Sequence, residues 1–235
     1  MKGKTMTRKR ATLAAIVVGG GIVVYGVYSY LYTSLIRPES IEEQIDISAA
    51  ERKGSPTAPI TLVVFEDYEC PFCAKHATEI LPRLTREYID TGKVQYIFMN
   101  FPLPKHLLAP RAAEAAKCAG EQGKFWQMHD LLFRNGQLRP GELYEDATQL
   151  GLEKESFRQC LLTGIYRDNI ARDHREGTKA GVQGTPTLFL GPTKSPTFEP
   201  TLKFTGTVPY RSLQKAIQQL LGSTEIAAAS HAKLE

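Results

Sequence analysis

Asp67-Tyr68-Glu69-Cys70-Pro71-Phe72-Cys73 places two thiols three positions apart, with proline directly after the first. An apolar, β-branched run, Ile60 to Phe65, comes before them, and a helical pattern follows from Pro71. Cys70 therefore falls where a buried strand turns into a helix. The first NH groups of a helix have no partner inside it and carry partial positive charge, so a thiolate there is stabilised and its pKa falls. Pro71 suits the first helical position, where its missing NH costs nothing. Cys73 lies one turn on and can close a small ring with Cys70. A C-x-x-C pair at such a junction reads as a thiol–disulfide redox centre.

Outward from that stretch, Ile60 to Glu66 reads as a buried strand and Pro71 to Tyr88 as a helix that Pro82 should kink. Val94 to Met99 is a second strand. Helical patterns follow at Leu107 to Ala119, Lys124 to Phe133, Leu143 to Leu150, Lys154 to Thr163 and Tyr166 to Ala180. Pro186 to Leu190 and Leu202 to Thr205 read as strands, and Tyr210 to Leu221 as a closing helix. A short strand is also expected at Gln44 to Ile47. The order is β-α-β, a helical insert over about 104–180, then β-β-α, which predicts one α/β sheet with helices on its faces.

The net charge of +4 misleads, because residues 1–36 hold five basic groups and no acidic one. The remainder carries 24 basic against 25 acidic residues, which argues against nucleic acid as a partner. Leu13 to Leu31 is uncharged for 19 residues. At about 1.5 Å per residue it reaches roughly 28 Å, close to the thickness of a bilayer core. The expected division is a basic cytoplasmic segment at 1–10, a transmembrane anchor at 11–36, a polar linker at 37–53, a folded domain at 54–222 and a flexible tail at 223–235. The basic cluster before the span puts the folded domain on the exported side of a single-pass anchor. The rival reading is a cleaved signal peptide, against which stand the length of the span and the lack of a small-x-small cleavage site.

The segment Gly54-Ser-Pro-Thr-Ala-Pro-Ile-Thr-Leu-Val-Val-Phe-Glu-Asp-Tyr-Glu-Cys-Pro-Phe-Cys73 resembles the opening of DsbA-like proteins of the thioredoxin superfamily. Asn100-Phe-Pro-Leu-Pro104 resembles the same family, and Cys118-Ala-Gly-Glu-Gln-Gly-Lys-Phe-Trp-Gln-Met-His-Asp130 resembles its helical insert. Gly181-Val-Gln-Gly-Thr-Pro-Thr187 resembles its cis-proline loop. The resemblance implies a thioredoxin fold with an inserted helical domain and dithiol–disulfide oxidoreductase activity, with no cofactor and no metal. It implies that Cys70 is the exposed nucleophile, that Cys73 is the buried resolving thiol, and that Thr185 and a cis Pro186 hold an extended substrate chain. The expected function is a membrane-anchored oxidoreductase that introduces disulfides into exported proteins. Its expected partner is a quinone-linked membrane thiol oxidase of the DsbB or VKOR type. The alternatives are a reductase or isomerase of the same compartment, or a copper carrier using the two thiolates.

The chain departs from the family's pattern at two places. Phe72 stands where the strongest oxidants have His, so Pro71 and Phe72 should tune the Cys70 thiolate to an intermediate level. Val64 stands six residues before Cys70, where a buried carboxylate is expected. Glu66 and Asp67 are read as ordinary strand-end polarity, with proton transfer as their other reading. Cys118 and Cys160 are expected to pair in an exported domain, the rival being two buried thiols. Phe125, Trp126, Met128 and His129 read as the core face of a helix, and His76 as a packed or solvated side chain. Thr193, Ser195 and Thr197 among prolines read as a surface turn.

Overall fold

The computed structural model describes residues 44–194 and 196–231. The expected anchor and the basic segment before it lie outside these residues. Among the described residues no helix is long and apolar enough to cross a membrane.

Ile60–Glu66 (β3) is buried at every position. It pairs in parallel with Val94–Asn100 (β4) and antiparallel with Thr187–Pro192 (β5), so it has neighbours along both edges. Glu51–Lys53 (β2) adds antiparallel to β4, and Leu202–Thr205 (β7) antiparallel to β5. The sheet order is β2-β4-β3-β5-β7. Strand side chains alternate between faces. Leu62, Val64, Tyr96, Phe98 and Leu188 join one core, which the helices of the insert and the C-terminal helix complete. Val63, Phe65, Ile97, Met99 and Phe189 join a second core on the other face, with Ile45, Ala180, Val182 and Phe198.

The helical stretch 71–89 (α1) is α-helical at Pro71–Lys75 and Leu81–Leu84 and π-helical at His76–Ile80 and Thr85–Ile89. The Leu81 NH donates to the His76 carbonyl five residues back. The effect of Pro82 thus shows as a widened turn, which gives its ring room against the preceding carbonyls. The insert comprises Ala109–Gly120 (α2), Phe125–Asn135 (α3), Pro140–Gln149 (α4), Lys154–Thr163 (α5) and Arg167–Lys179 (α6). A disulfide joins Cys118 on α2 to Cys160 on α5, with the two Cα atoms 5.8 Å apart.

Three expectations change. The segment read as a linker holds the short strand expected at Gln44 to Ile47, as Ile45–Asp46 (β1), and also supplies the edge strand β2, which was not expected. Charged, half-exposed residues are what an edge strand shows, and in sequence they look like a linker. Thr197 lies in a strand, Thr197–Phe198 (β6), that pairs with β1. The closing helix Tyr210–His231 (α7) runs well into the segment read as a flexible tail. Ala227, Ala228 and Ala229 there are strong helix formers.

Gly177 lets α6 lie close against the second core. A Cβ at that position would come within 2.6 Å of the Phe101 ring and 2.9 Å of the Phe65 ring. Gly177→Ala should therefore destabilise the domain by about 1–3 kcal/mol through overpacking, despite the better helix propensity of Ala. Urea unfolding checks this. Opening the Cys118–Cys160 loop, with a sequence separation of 42, should cost about 3–4 kcal/mol on a loop-entropy basis. A Cys118→Ala/Cys160→Ala protein is expected to unfold at correspondingly lower urea.

Candidate active site

Cys70 ends the turn after β3 and caps α1 with extended backbone, φ −80° and ψ 118°. Its NH donates to the Asp67 carbonyl at 3.0 Å, and its own carbonyl accepts from the Ala74 NH at 3.0 Å. Cys70 and Cys73 are free thiols. Cys70 is only 4% exposed and Cys73 is fully buried, so the expectation of an exposed nucleophile needs correcting. The loop that carries Thr185 and Pro186 covers Cys70. The Thr185–Pro186 peptide bond is cis, and the Cys70 Sγ lies 3.3 Å from the Thr185 carbonyl oxygen.

The two sulfurs have opposite electrostatic surroundings. The Cys73 thiol donates a hydrogen bond to Cys70, and with it the Thr185 side chain and the Cys73 and Phe72 backbone NH groups lower the Cys70 pKa to about 5, against the opposing effect of burial. As a thiol, Cys70 donates to the Thr185 carbonyl. As a thiolate it can only accept, and the Thr185 hydroxyl, buried and otherwise without a partner, is then the group on that loop able to donate. Cys73 goes the other way. Burial pushes its thiol well above the ordinary value, and its hydrogen bond to Cys70 and the charge of Glu66 add to that. Phe72, 59% exposed, contributes its backbone NH to the sulfur while its ring points to solvent. Pro71 sits at the first helical turn.

The carboxylates before Cys70 have separate tasks. Asp67 is buried; its Oδ2 accepts from the Leu103 NH and pairs with His106 Nδ1, each at 2.7 Å, and its Oδ1 accepts from the Glu69 NH at 2.7 Å. Glu69 Oε2 accepts from the Leu108 and Ala109 NH groups at 2.6 and 2.7 Å, holding the start of α2. Glu66 is buried too, so it is not strand-end polarity on the surface. It shares the sheet face of Leu62 and Val64, and its Oε2 accepts from the Tyr96 hydroxyl at 3.3 Å.

His129 Nε2 lies 3.9 Å from Glu66 Oε2, within ion-pair range but too far for a direct hydrogen bond. Phe125, Met128 and His129 are buried, as the core reading of α3 expects. His129 also belongs to a polar cluster that this reading passed over. The only sequence signal for it is that an imidazole occupies a core position. His76 is buried as well, stacked on Tyr96 with ring centroids 6.3 Å apart, and burial lowers its pKa.

A family model described as thioredoxin matches residues 50–219. The probable disulfide bond formation protein D of Bacillus cereus is 29% identical over 190 residues, covering 76% of this chain and 87% of that protein. A Na(+)/H(+) antiporter, NhaA 3 of Salinispora tropica, is 38% identical over 140 residues. That match covers 59% of this chain, and the chain spans only 21% of the antiporter's length. The crystal structure of Wolbachia pipientis alpha-DsbA1 superposes with a TM-score of 0.71 at 23% identity, covering 80% of this chain and 99% of that one. The last likeness is one of fold. With the family match over most of the described residues, it settles the classification: the chain belongs to the thioredoxin family and has the DsbA-like form of its fold, with a helical insertion.

Proposed function

We propose that this chain is a thiol:disulfide oxidoreductase that introduces disulfides into exported proteins, working from a membrane anchor. The observation that carries the reading is the unequal pair of sulfurs. Cys70 is held as a thiolate at a helix start beneath Thr185, and Cys73 is held as a thiol in the core. A stabilised Cys70 thiolate favours the reduced enzyme, which makes its disulfide an oxidant. The disulfide bond formation protein of Bacillus cereus supports the same direction by its name. The antiporter's name describes a protein of which the match covers about a fifth, and no transport is carried over from it.

A substrate thiolate attacks the Cys70 sulfur of the oxidised pair, and Cys73 leaves. A second substrate thiolate attacks the substrate sulfur of the mixed disulfide, and Cys70 leaves as thiolate. Thr185 lies just outside β5 and takes part in none of the strand pairings, so its backbone is placed to pair with an extended substrate chain. Phe72 and Leu107 are exposed apolar side chains, Phe72 within the C-x-x-C motif and Leu107 beside the Leu108 NH that Glu69 holds. The uncharged span Leu13 to Leu31 after five basic residues supports the anchor, with the folded domain on the exported side. A quinone-linked membrane thiol oxidase of the DsbB or VKOR type would then reoxidise the pair. The potential belongs between the thioredoxin and DsbA values of roughly −270 and −120 mV.

Two outcomes follow. Thiolate absorbance at 240 nm in the reduced protein should titrate with a midpoint near pH 5. Because the folded value is depressed, this thiolate stabilises the reduced fold above the ordinary cysteine range, and that contribution is lost as pH falls toward 5. In cells, Cys73→Ser should accumulate mixed disulfides through Cys70, while Cys70→Ser forms none. Trapping by the Cys70 variant instead would falsify the assignment of roles.

A further inference from the structure

A cavity of about 370 Å³ opens on the flank of α1, and none of Cys70, Thr185 or Pro186 borders it. Three elements far apart in sequence build it: α1, Lys53 at the end of β2, and Asp130 and Arg134 on α3. Its apolar part is one face of α1. Ala77, Leu81 and Thr85 follow one another at intervals of four, so their side chains lie along the same face, and Pro82 stands beside them. Ala77 belongs to the π-helical turn His76–Ile80. Its methyl group leaves room that a longer side chain would fill.

The polar groups around this space are unevenly committed. Asp130 Oδ1 pairs with His129 Nδ1 at 2.9 Å. Burial acts to raise the Asp130 pKa, but the hydrogen bond and charge of His129, then the charges of Lys53 and Arg134, bring it below the ordinary value. Asp130 is therefore ionised and already paired. Lys53 and Arg134 act on it only from a distance, and among the described residues neither joins an ion pair. The Lys53 ammonium stands 5.1 Å from the centre of the Trp126 ring. The Thr85 hydroxyl is buried and has no hydrogen-bond partner among the described residues, a condition native interiors seldom leave. Two positive charges thus face one negative charge and an unused hydroxyl across an apolar floor. Mostly apolar walls with a few convergent polar groups, in roughly 300–1,000 Å³, are the make-up of small-ligand sites.

We propose that this cavity binds a carboxylate carried on a short apolar stem, supplied by an acidic side chain of a partner chain or by a free small acid. Arg134 offers the planar fork that meets a carboxylate with two parallel hydrogen bonds. Lys53 adds a second charge, and the Thr85 hydroxyl donates to a remaining lone pair. The stem lies on Ala77, Leu81 and Pro82. One net positive charge is what a single carboxylate neutralises, whereas a phosphate dianion exceeds it and is repelled by Asp130. Ala77 comes one turn after Cys73 on the same helix, so a partner held here sits on the helix that carries the C-x-x-C motif, in a space that Cys70 does not border. The site is independent of thiol exchange and of its direction.

The test titrates the full-length chain with butyrate, with the blocked tripeptide acetyl-Ala-Glu-Ala-amide and with inorganic phosphate. Trp126, beside Lys53, is the chain's single tryptophan, and its fluorescence reports binding. Saturation-transfer NMR of the ligand reads the same event in variants that alter the basal emission. Butyrate or the peptide should bind saturably with Kd on the order of 1 mM, and phosphate more weakly than both. Arg134→Gln should weaken binding about tenfold, Lys53→Gln about fivefold and Thr85→Val about threefold. Asp130→Asn removes the opposing charge and should tighten binding about threefold. Arg134, Lys53 and Asp130 are all partly exposed, and thermal melting by circular dichroism confirms that each variant is folded. Alkylation of Cys70 should leave the affinity unchanged. Tighter binding of the peptide assigns the ligand to a partner's acidic side chain, and tighter binding of butyrate assigns it to a free acid; both support the site. Absence of saturable binding, affinities that Arg134→Gln and Lys53→Gln leave unchanged, phosphate as the better ligand, weaker binding in Asp130→Asn, or loss of binding on Cys70 alkylation would each overturn it.

Discussion

Two sulfurs three residues apart, both nearly out of water, must hold opposite protonation states. The rest of the structure serves that constraint. Local geometry supplies most of it, through the Cys73 thiol that donates to Cys70 and the Cys73 and Phe72 NH groups at the helix start. A further part comes from Thr185, 115 residues away in sequence. The sheet closes that distance. Phe65 in β3 stands opposite Thr187 in β5, so the segment leaving β3 runs beside the segment entering β5. A slip of one residue in this antiparallel register would turn the side chains of one strand to the wrong face, and it would move Thr185 from the sulfur. The long fully buried strand β3, with neighbours on both edges, is what prevents the slip.

The same short segment also fixes the insert on the sheet. Between the end of β3 and the first turn of α1, three carboxylates point to three places. Glu66 continues the strand's inward face, Asp67 holds the loop after β4, and Glu69 satisfies two free NH groups at the start of α2. Buried carboxylates are costly unless their oxygens accept hydrogen bonds. At Asp67 and Glu69 backbone NH groups meet that need, so these residues brace the loop and helix beside Cys70. The strain of burial is left at Glu66, the carboxylate whose charge bears on Cys73.

What the sequence disclosed follows from how local each signal is. The run Ile60 to Glu66 and the helix Lys154–Thr163 were readable to the residue, since apolar periodicity and breakers mark them without outside help. A short strand was legible at Gln44 to Ile47, where β1 lies, but β2 and β6 were not. They are two or three residues long and mostly polar or half-exposed, and β6 is a strand only because it meets β1, about 150 residues earlier in the chain. His129 shows the same limit at the site. Its spacing on α3 puts it in the core, correctly, but its meaning depends on Glu66 and Tyr68 near the start of the domain and Phe98 on β4. Glu66 was misjudged because a carboxylate at a strand end is ordinarily solvated. Here the strand end is capped by the insert.

The exchange of Val64 and Glu66 relative to the family's pattern then has a physical reading. Two residues along a strand keep the same face, so a carboxylate moved from position 64 to 66 still points into the first core. It moves about 7 Å toward the start of α1. There it stands opposite Asn100 at the end of β4, at the end of the sheet where the insert begins. A buried carboxylate at that end needs partners that the sheet alone does not hold. Tyr96 reaches it from β4, and His129 faces it from α3 of the insert. The insert thus does more than cover the sheet. It brings His129 within 3.9 Å of the buried Glu66 carboxylate, and Asp130, the next residue on α3, connects that imidazole to the surface. A carboxylate at position 64 would sit deeper in the sheet, farther from any such outlet. The position of the carboxylate and the presence of His-Asp on α3 are therefore two parts of one arrangement, and a change in either should matter only while the other is in place.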